Sequence, residues 1–211
     1  MTALAPDPAG GRWRDFVACA AAGEAFPNEL ESGDRCVIQP FDDSLLIAAV
    51  DGSGHGAEAA AAAKIAAATL EAYASESPIA LVLRCHEQLK GTRGAVMTIA
   101  FVHLRYRTLT WLGVGNVEGI LFHSGAHSAP DRVLLRNGVI GYRLPPLRVD
   151  TVPLKARDTL ILFTDGITAD FGDEVSQGDD PQLIADGILA NHHKGDDDAL
   201  VVVARYLGGG M

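Results

Sequence analysis

The sequence predicts an α+β protein, and three observations carry that reading. Apolar runs of strand length recur along the chain, several joined by short polar turns. One alanine-rich segment lacks Gly and Pro and reads as a helix. The strands and helices do not alternate as repeated β-α-β units, so the helices are set apart from antiparallel strands. The chain has 211 residues, 48% hydrophobic and 21% charged. It is apolar enough to fold and long enough for one ordinary domain with a sizeable core, or two small ones at most. No repeat, linker or shift in composition divides it, so the expectation is a loose leader over 1–12 and a single domain over 13–207.

The elements follow in order. Residues 13–22 are apolar-rich and end at Gly23, which predicts a first strand. Residues 24–33 contain Pro27 and Asn28 and read as a loop. Two strands, 36–41 and 45–50, flank the turn Asp42-Asp43-Ser44. A glycine-rich turn, Asp51-Gly52-Ser53-Gly54-His55-Gly56, leads into the alanine helix at 57–75. Its charged residues, Glu58, Lys64 and Glu71, are too sparse to solvate more than one face, so most of the helix should be buried against a sheet. Pro78 opens a second helix to about residue 89, in the favoured first-turn position. Strands are predicted at 95–104 and 108–114 around Arg105-Tyr106-Arg107, then at 118–123, 132–136, 148–154 and 159–164. A third helix is expected at 181–191 and a last buried strand at 199–206.

Composition excludes several classes. There are 17 Lys+Arg against 27 Asp+Glu, a formal net charge of −10. That argues against nucleic acid and against anionic membrane surfaces as partners, since both need clustered cations. Cys19, Cys36 and Cys85 are widely spaced and form no C-x-x-C pair, so neither a thiolate zinc site nor a disulfide framework is expected. The N-terminal stretch lacks a basic segment followed by an apolar core, and no apolar run approaches the roughly 20 residues of a spanning helix. These features predict a soluble cytoplasmic protein.

Acidic residues gather at strand ends. Asp34 precedes a strand, Asp51 ends LLIAAV, Asp165 ends TLILFT, and Asp196, Asp197 and Asp198 precede ALVVVARY. Adjacent strands would bring these carboxylates to one sheet edge. Two carboxylates 4 Å apart repel by about 4 kcal/mol at an effective dielectric of 20, so such a cluster wants cations. Hard oxygen ligands suit Mg²⁺ or Mn²⁺. A lone Asp-Gly after a strand is ordinarily a turn, and an isolated acidic triplet a solvated loop. Their coincidence with the glycine-rich turn favours a metal site. That turn also matches G-x-G-x-x-A, a dinucleotide fingerprint. Against it stand Asp51, placed where a pyrophosphate would approach, and Glu71, which falls in the alanine helix instead of at the end of a second parallel strand.

The blocks VDGSGHGAEAA, GVGN, LFTDGI and DDDALVVVAR, in that order, resemble the bacterial branch of the metal-dependent protein phosphatases. This is the sporulation stage II group of the protein phosphatase 2C superfamily. The blocks ESGD, TRGAVMTIAFV and WLGVGNVEGIL resemble its small stand-alone stressosome members, and the likeness spans about residues 13–206. The resemblance implies a four-layer α-β-β-α sandwich of two antiparallel sheets flanked by helices, with two Mn²⁺ or Mg²⁺ ions in a cleft at one sheet edge. It implies that Asp51 bridges the ions and that the Gly52 carbonyl ligates one of them. Asp165 and Asp196 would ligate the other, with Asp197 or Asp198 as alternatives for Asp196. Asp34 would contact the metals directly or through water. Eukaryotic relatives place a general-acid His two residues after the bridging Asp. Here Ser53 holds that position, and His55, four after, is read as a turn residue and a catalytic candidate. No N-terminal Arg falls in a matching phosphate-binding motif. Arg35 and Arg93 are candidates by position and Arg14 a weaker one, each with the ordinary alternative of a solvated or core-capping side chain.

The implied activity is hydrolysis of phosphoserine or phosphothreonine on a protein, and the implied partner is a STAS-domain protein of a stressosome or an anti-sigma-factor antagonist. The competing expectations are a phosphatase fold that binds a partner with little turnover and, more remotely, a dinucleotide-binding enzyme.

Overall fold

A computed structural model describes residues 12–125, 129–172, 175 and 178–208. The leader expected at 1–12 lies outside the described residues except for Arg12. Eleven strands and three α-helices are described, after a short 3-10 turn at Arg12–Asp15. The strands are β1 Val17–Glu24, β2 Asp34–Phe41, β3 Ser44–Gly52, β4 Ala95–His103, β5 Thr108–Val114, β6 Glu118–Phe122, β7 Asp131–Arg132, β8 Leu135–Arg136, β9 Asp150–Pro153, β10 Thr159–Phe163 and β11 Ala199–Tyr206. The helices are α1 Ala57–Ala72, α2 Pro78–Gln88 and α3 Pro181–His192.

The strands form two sheets. One runs β1-β11-β10-β6-β7 and the other β2-β3-β4-β5-β8, with β9 added alongside β5. Every pairing is antiparallel except β5 with β8, which is parallel, so the second sheet is mixed where a purely antiparallel one was expected. Alternation along each strand builds the layers. In β3, Leu45, Ile47 and Ala49 join Leu160, Leu162, Leu200 and Val202 in the core between the sheets. Leu46, Ala48 and Val50 face the other way, into a core shared with α1 and α2. On the opposite side Ile161, Phe163, Val201 and Val203 pack against Ile184, Ala185 and Ile188 of α3. Both faces of each central strand are therefore covered, which is why these strands read as unbroken apolar runs.

Local chemistry explains the element limits. α1 packs closely because the residues on its buried face are small: Ala59, Ala60, Ala62, Ala63, Ala66 and Ala67. Ser77 caps α2 and Asp180 caps α3, each followed by Pro at the first helical position. Pro40 is tolerated in β2 because β2 is the sheet's edge strand. β3 feeds α1 from between two antiparallel neighbours, β2 and β4, so the glycine-rich turn does not sit in a β-α-β unit.

Two expectations need correction. The first strand begins at Val17, because Trp13 lies in a turn closed by a bond from Phe16 N–H to the Trp13 carbonyl at 2.9 Å, and it runs on through Gly23 to Glu24. The strand expected at 132–136 is two short strands in different sheets. β7 pairs with β6, and after a break at Val133 and Leu134 the chain crosses the sandwich so that β8 pairs with β5. Among the described residues no helix is long and apolar enough to cross a membrane.

Candidate metal centre

Four strand ends meet at one end of the sandwich. Asp34 and Asp51 are directly opposed partners in the β2–β3 ladder. Asp165 follows β10, and Asp198 immediately precedes β11, its neighbour in the other sheet. Two bonds join the sheets there. The Thr164 hydroxyl donates to Asp34 Oδ2 at 2.7 Å and accepts from Leu200 N–H at 2.9 Å. Gly33 N–H donates to Asp198 Oδ2 at 2.9 Å.

The electrostatics reflect that convergence. Burial, reinforced by the charges of Asp34, Asp165, Asp197 and Asp198, pushes the Asp51 carboxyl up to about 9. Burial also raises Asp34, to about 7; the Thr164 hydroxyl opposes the rise, while Asp198, Asp165 and Asp197 add to it. Asp165 is raised by burial and by Asp197, against the pull of Lys194 and the bond from Asn116. No Lys, Arg or His among the described residues forms an ion pair with Asp34, Asp51, Asp165, Asp197 or Asp198. Apart from the partial pull of Lys194 on Asp165, protons offset this charge in the protein by itself.

The acidic triplet divides into three environments. Asp198 is buried, and both its oxygens are occupied: Oδ1 accepts from Phe26 N–H and Oδ2 from Gly33 N–H, each at 2.9 Å. It ties the 25–33 loop to the site. Asp197 is half-buried and Asp196 exposed. Asp197 adds its charge to Asp34, Asp51 and Asp165, and Asp196 adds its charge to Asp165. The next residue after Asp51, Gly52, is buried, and a Cβ there would stand 2.1 Å from the Ala59 carbonyl oxygen. Only glycine lets α1 start so close to the end of β3.

His55 is turned to the 25–33 loop. Its Nδ1 lies 3.2 Å from Glu29 Oε1, and its ring is 4.9 Å from that of Phe26. Arg35 is held by backbone, donating to the carbonyls of Ser32 and Asp34 at 2.8 and 2.7 Å, and it pairs with Glu31. Arg14 stacks on Trp13, with its guanidinium carbon 4.6 Å from the ring centroid.

Sequence reasoning assigned no part to three supporting residues. Thr164 holds Asp34. Asn116 donates to Asp165 Oδ2 at 2.7 Å, and Lys194 Nζ donates to the Asp165 carbonyl at 2.5 Å. The Asn116 signal was present in the GVGN block, and Thr164 is the residue before the Asp165-Gly166 turn.

The donor set fits a hard divalent cation. It is all oxygen, it is multiply acidic, and among the described residues no protein cation forms an ion pair with it. The arrangement is open: among the described residues no three His, Cys, Asp or Glu side chains are drawn together tightly enough to hold one ion alone. A cavity of about 470 Å³ lies beside Asp34 between β1 and β2, lined by Ser32, Arg35, Cys19 and Cys36. Burial pushes Cys36 and Cys85 up to about 12 and Cys19 further, so none supplies a thiolate nucleophile at neutral pH.

The chain is 26% identical over 175 residues to the phosphoserine phosphatase RsbX of Bacillus subtilis strain 168, covering 82% of this chain and 86% of that protein. A solved chain described under the bacterial stressosome, as a modular system adapted to control secondary messenger signaling, superposes with a TM-score of 0.82. It is 27% identical and the match covers 90% of this chain and 99% of that one. The crystal structure of RsbX in complex with magnesium gives a TM-score of 0.80 at 22% identity, covering 90% and 96% of the two chains. Residues 42–207 match the family described as stage II sporulation protein E, SpoIIE. With that match spanning most of the chain and the sandwich fold in common, the protein belongs to the SpoIIE family.

Proposed function

We propose that this chain is a cytoplasmic Mn²⁺- or Mg²⁺-dependent protein serine/threonine phosphatase that removes phosphate from a STAS-domain protein of a bacterial stress-signalling pathway. The observation that carries the chemistry is the meeting of Asp34, Asp51, Asp165 and Asp197 with no ion pair from a protein cation among the described residues. The similarity to RsbX, a phosphoserine phosphatase, supports the substrate class, and the similarity to a stressosome chain supports the pathway.

Asp51 and the Gly52 carbonyl would hold divalent metal from the end of β3, Asp165 and Asp197 from the other sheet, in preference to the exposed Asp196, and Asp34 from the opposed strand. Asp198, whose two oxygens each accept a backbone N–H, takes the anchoring part instead. When bound, divalent ions acidify an attacking water and offset the charge of the phosphate. The chain's own work is positional. Asn116 and Lys194 fix Asp165, Thr164 fixes Asp34, and Asp198 anchors the loop bearing Phe26 over the glycine turn. His55, paired with Glu29, holds that loop and receives no proton-transfer step.

The test is incubation with phosphorylated candidate STAS proteins, following loss of phosphate with Mn²⁺, with Mg²⁺ and with EDTA. Release that depends on metal and is selective for a STAS phosphoserine or phosphothreonine is the expected result. Metal-independent release, or none from any phosphoprotein, would sink the reading.

A further inference from the structure

An aspartate-rich site that admits a phosphate dianion gains from a cation that is not consumed by the aspartates. Four basic side chains border this one. Three are spoken for. Arg35 donates to the Ser32 and Asp34 carbonyls and pairs with Glu31. Lys64 pairs with Glu31 at 2.7 Å, and Lys194 donates to the Asp165 carbonyl.

Arg93 differs. Its Nε donates to Glu58 Oε2 at 2.6 Å, and no described residue accepts a hydrogen bond from its two terminal nitrogens. The side chain is about half exposed, with one face against the protein. Nη1 stands 2.7 Å from the position a Cβ would take on Gly54, so the guanidinium lies against the backbone of the glycine turn, two residues beyond Gly52. Gly54 has φ +85°, and its lack of a side chain makes room for the guanidinium. The backbone around Arg93 is fixed as well. Ser53 N–H donates to the Gly94 carbonyl at 3.1 Å, Gly94 N–H to the Thr92 hydroxyl at 3.0 Å, and that hydroxyl to the Leu89 carbonyl at 2.7 Å. The partner Glu58 is itself largely exposed, so the pair is weakly held and can re-aim at little cost.

We propose that Arg93 grips the substrate phosphate, its terminal nitrogens donating to two non-bridging oxygens. A planar fork beside a phosphate site makes this bidentate contact, which a lysine point charge does not reproduce. The inference rests on the phosphatase reading above and adds the residue that holds the substrate.

The experiment compares wild type, Arg93→Ala, Arg93→Lys and Glu58→Gln in Mn²⁺. It measures kcat and KM on a phosphoserine peptide, inhibition by inorganic phosphate, and calorimetric binding of inorganic phosphate. Arg93→Ala is expected to raise KM and weaken phosphate binding about 10- to 100-fold, the range for a lost charge-assisted hydrogen bond. The Mn²⁺ concentration for half-activation stays unchanged. Arg93→Lys recovers part of the loss. Glu58→Gln keeps phosphate binding within about twofold of wild type, as expected for an exposed pair. If Arg93 only pins the turn through Glu58, Glu58→Gln reproduces the alanine defect and the proposal falls. It also falls if Arg93→Ala leaves KM and phosphate binding unchanged, whatever happens to kcat. Failure of the phosphatase reading is separately visible, as an unsubstituted protein with no metal-dependent hydrolysis.

Discussion

At the scale of single residues, the site combines groups that would bind metal with groups that aim them, and substitutions separate the two. Asp51→Asn and Asp165→Asn remove charge at nearly constant shape. Each is expected to abolish Mn²⁺-dependent hydrolysis of a phosphopeptide, and activity retained at more than a small fraction of wild type would remove that residue from the site. Thr164 is different. Its buried hydroxyl serves Asp34 and Leu200 N–H at once, so Thr164→Val strands a backbone donor as well as freeing a carboxylate. The expected cost is about 1–3 kcal/mol of stability, read from denaturant unfolding. Asn116→Ala acts at an exposed bond, so it should weaken Mn²⁺ activation without lowering the unfolding midpoint. An equal fall in both would make Asn116 a structural residue.

At the scale of elements, α1 is the part whose sequence is most constrained by packing. Ala66 is fully buried between the helix and the β2–β3 sheet, whereas Ala68 faces solvent. Ala66→Leu is expected to cost about 1–3 kcal/mol by overpacking. Ala68→Leu should change stability by less than about 0.5 kcal/mol, as surface substitutions do. Equal unfolding midpoints for the two would contradict the close helix–sheet approach. This helix was legible in the sequence because composition alone fixes it. So were β3, β10 and β11, whose apolar runs end in the very aspartates that matter. The register of Asp196, Asp197 and Asp198 was not legible. Three identical residues differ only in what reaches them, and the donors to Asp198, Phe26 and Gly33, lie on a loop 165 or more residues earlier in the chain. The split of 132–136 was hidden for a similar reason. One short polar–apolar stretch serves both sheets, and the crossing is decided by where β5 and β6 leave an open edge. Thr164 and Asn116 carry no charge, so their roles appear only when a carboxylate is seen beside them.

At the scale of the whole molecule, the aspartate cluster ties stability to pH and to divalent metal with opposite signs. The Asp51 and Asp34 carboxyls sit at about 9 and 7 in the metal-free fold, well above their ordinary value of 3.8. Between those limits the folded chain holds protons that the unfolded chain has released. Stability from these groups is therefore complete below about pH 4 and is lost as pH rises through 7 and then 9. In EDTA the melting temperature should fall from pH 6 to pH 8.5. Divalent metal held by these aspartates would take the place of those protons, so its binding should release them and tighten as pH rises. At a free Mg²⁺ concentration of 100 times its dissociation constant, the fold gains about 2.7 kcal/mol. The downward slope in EDTA should then flatten or reverse in Mg²⁺, and calorimetry at pH 6.5 in two buffers of different ionisation enthalpy should register proton release. Asp51→Asn removes one of the held protons, so in EDTA it should melt higher than wild type at pH 8.5 and respond weakly to Mg²⁺. Melting temperatures that are flat with pH in EDTA and unmoved by Mg²⁺ would mean that the four strand ends do not share one uncompensated charge.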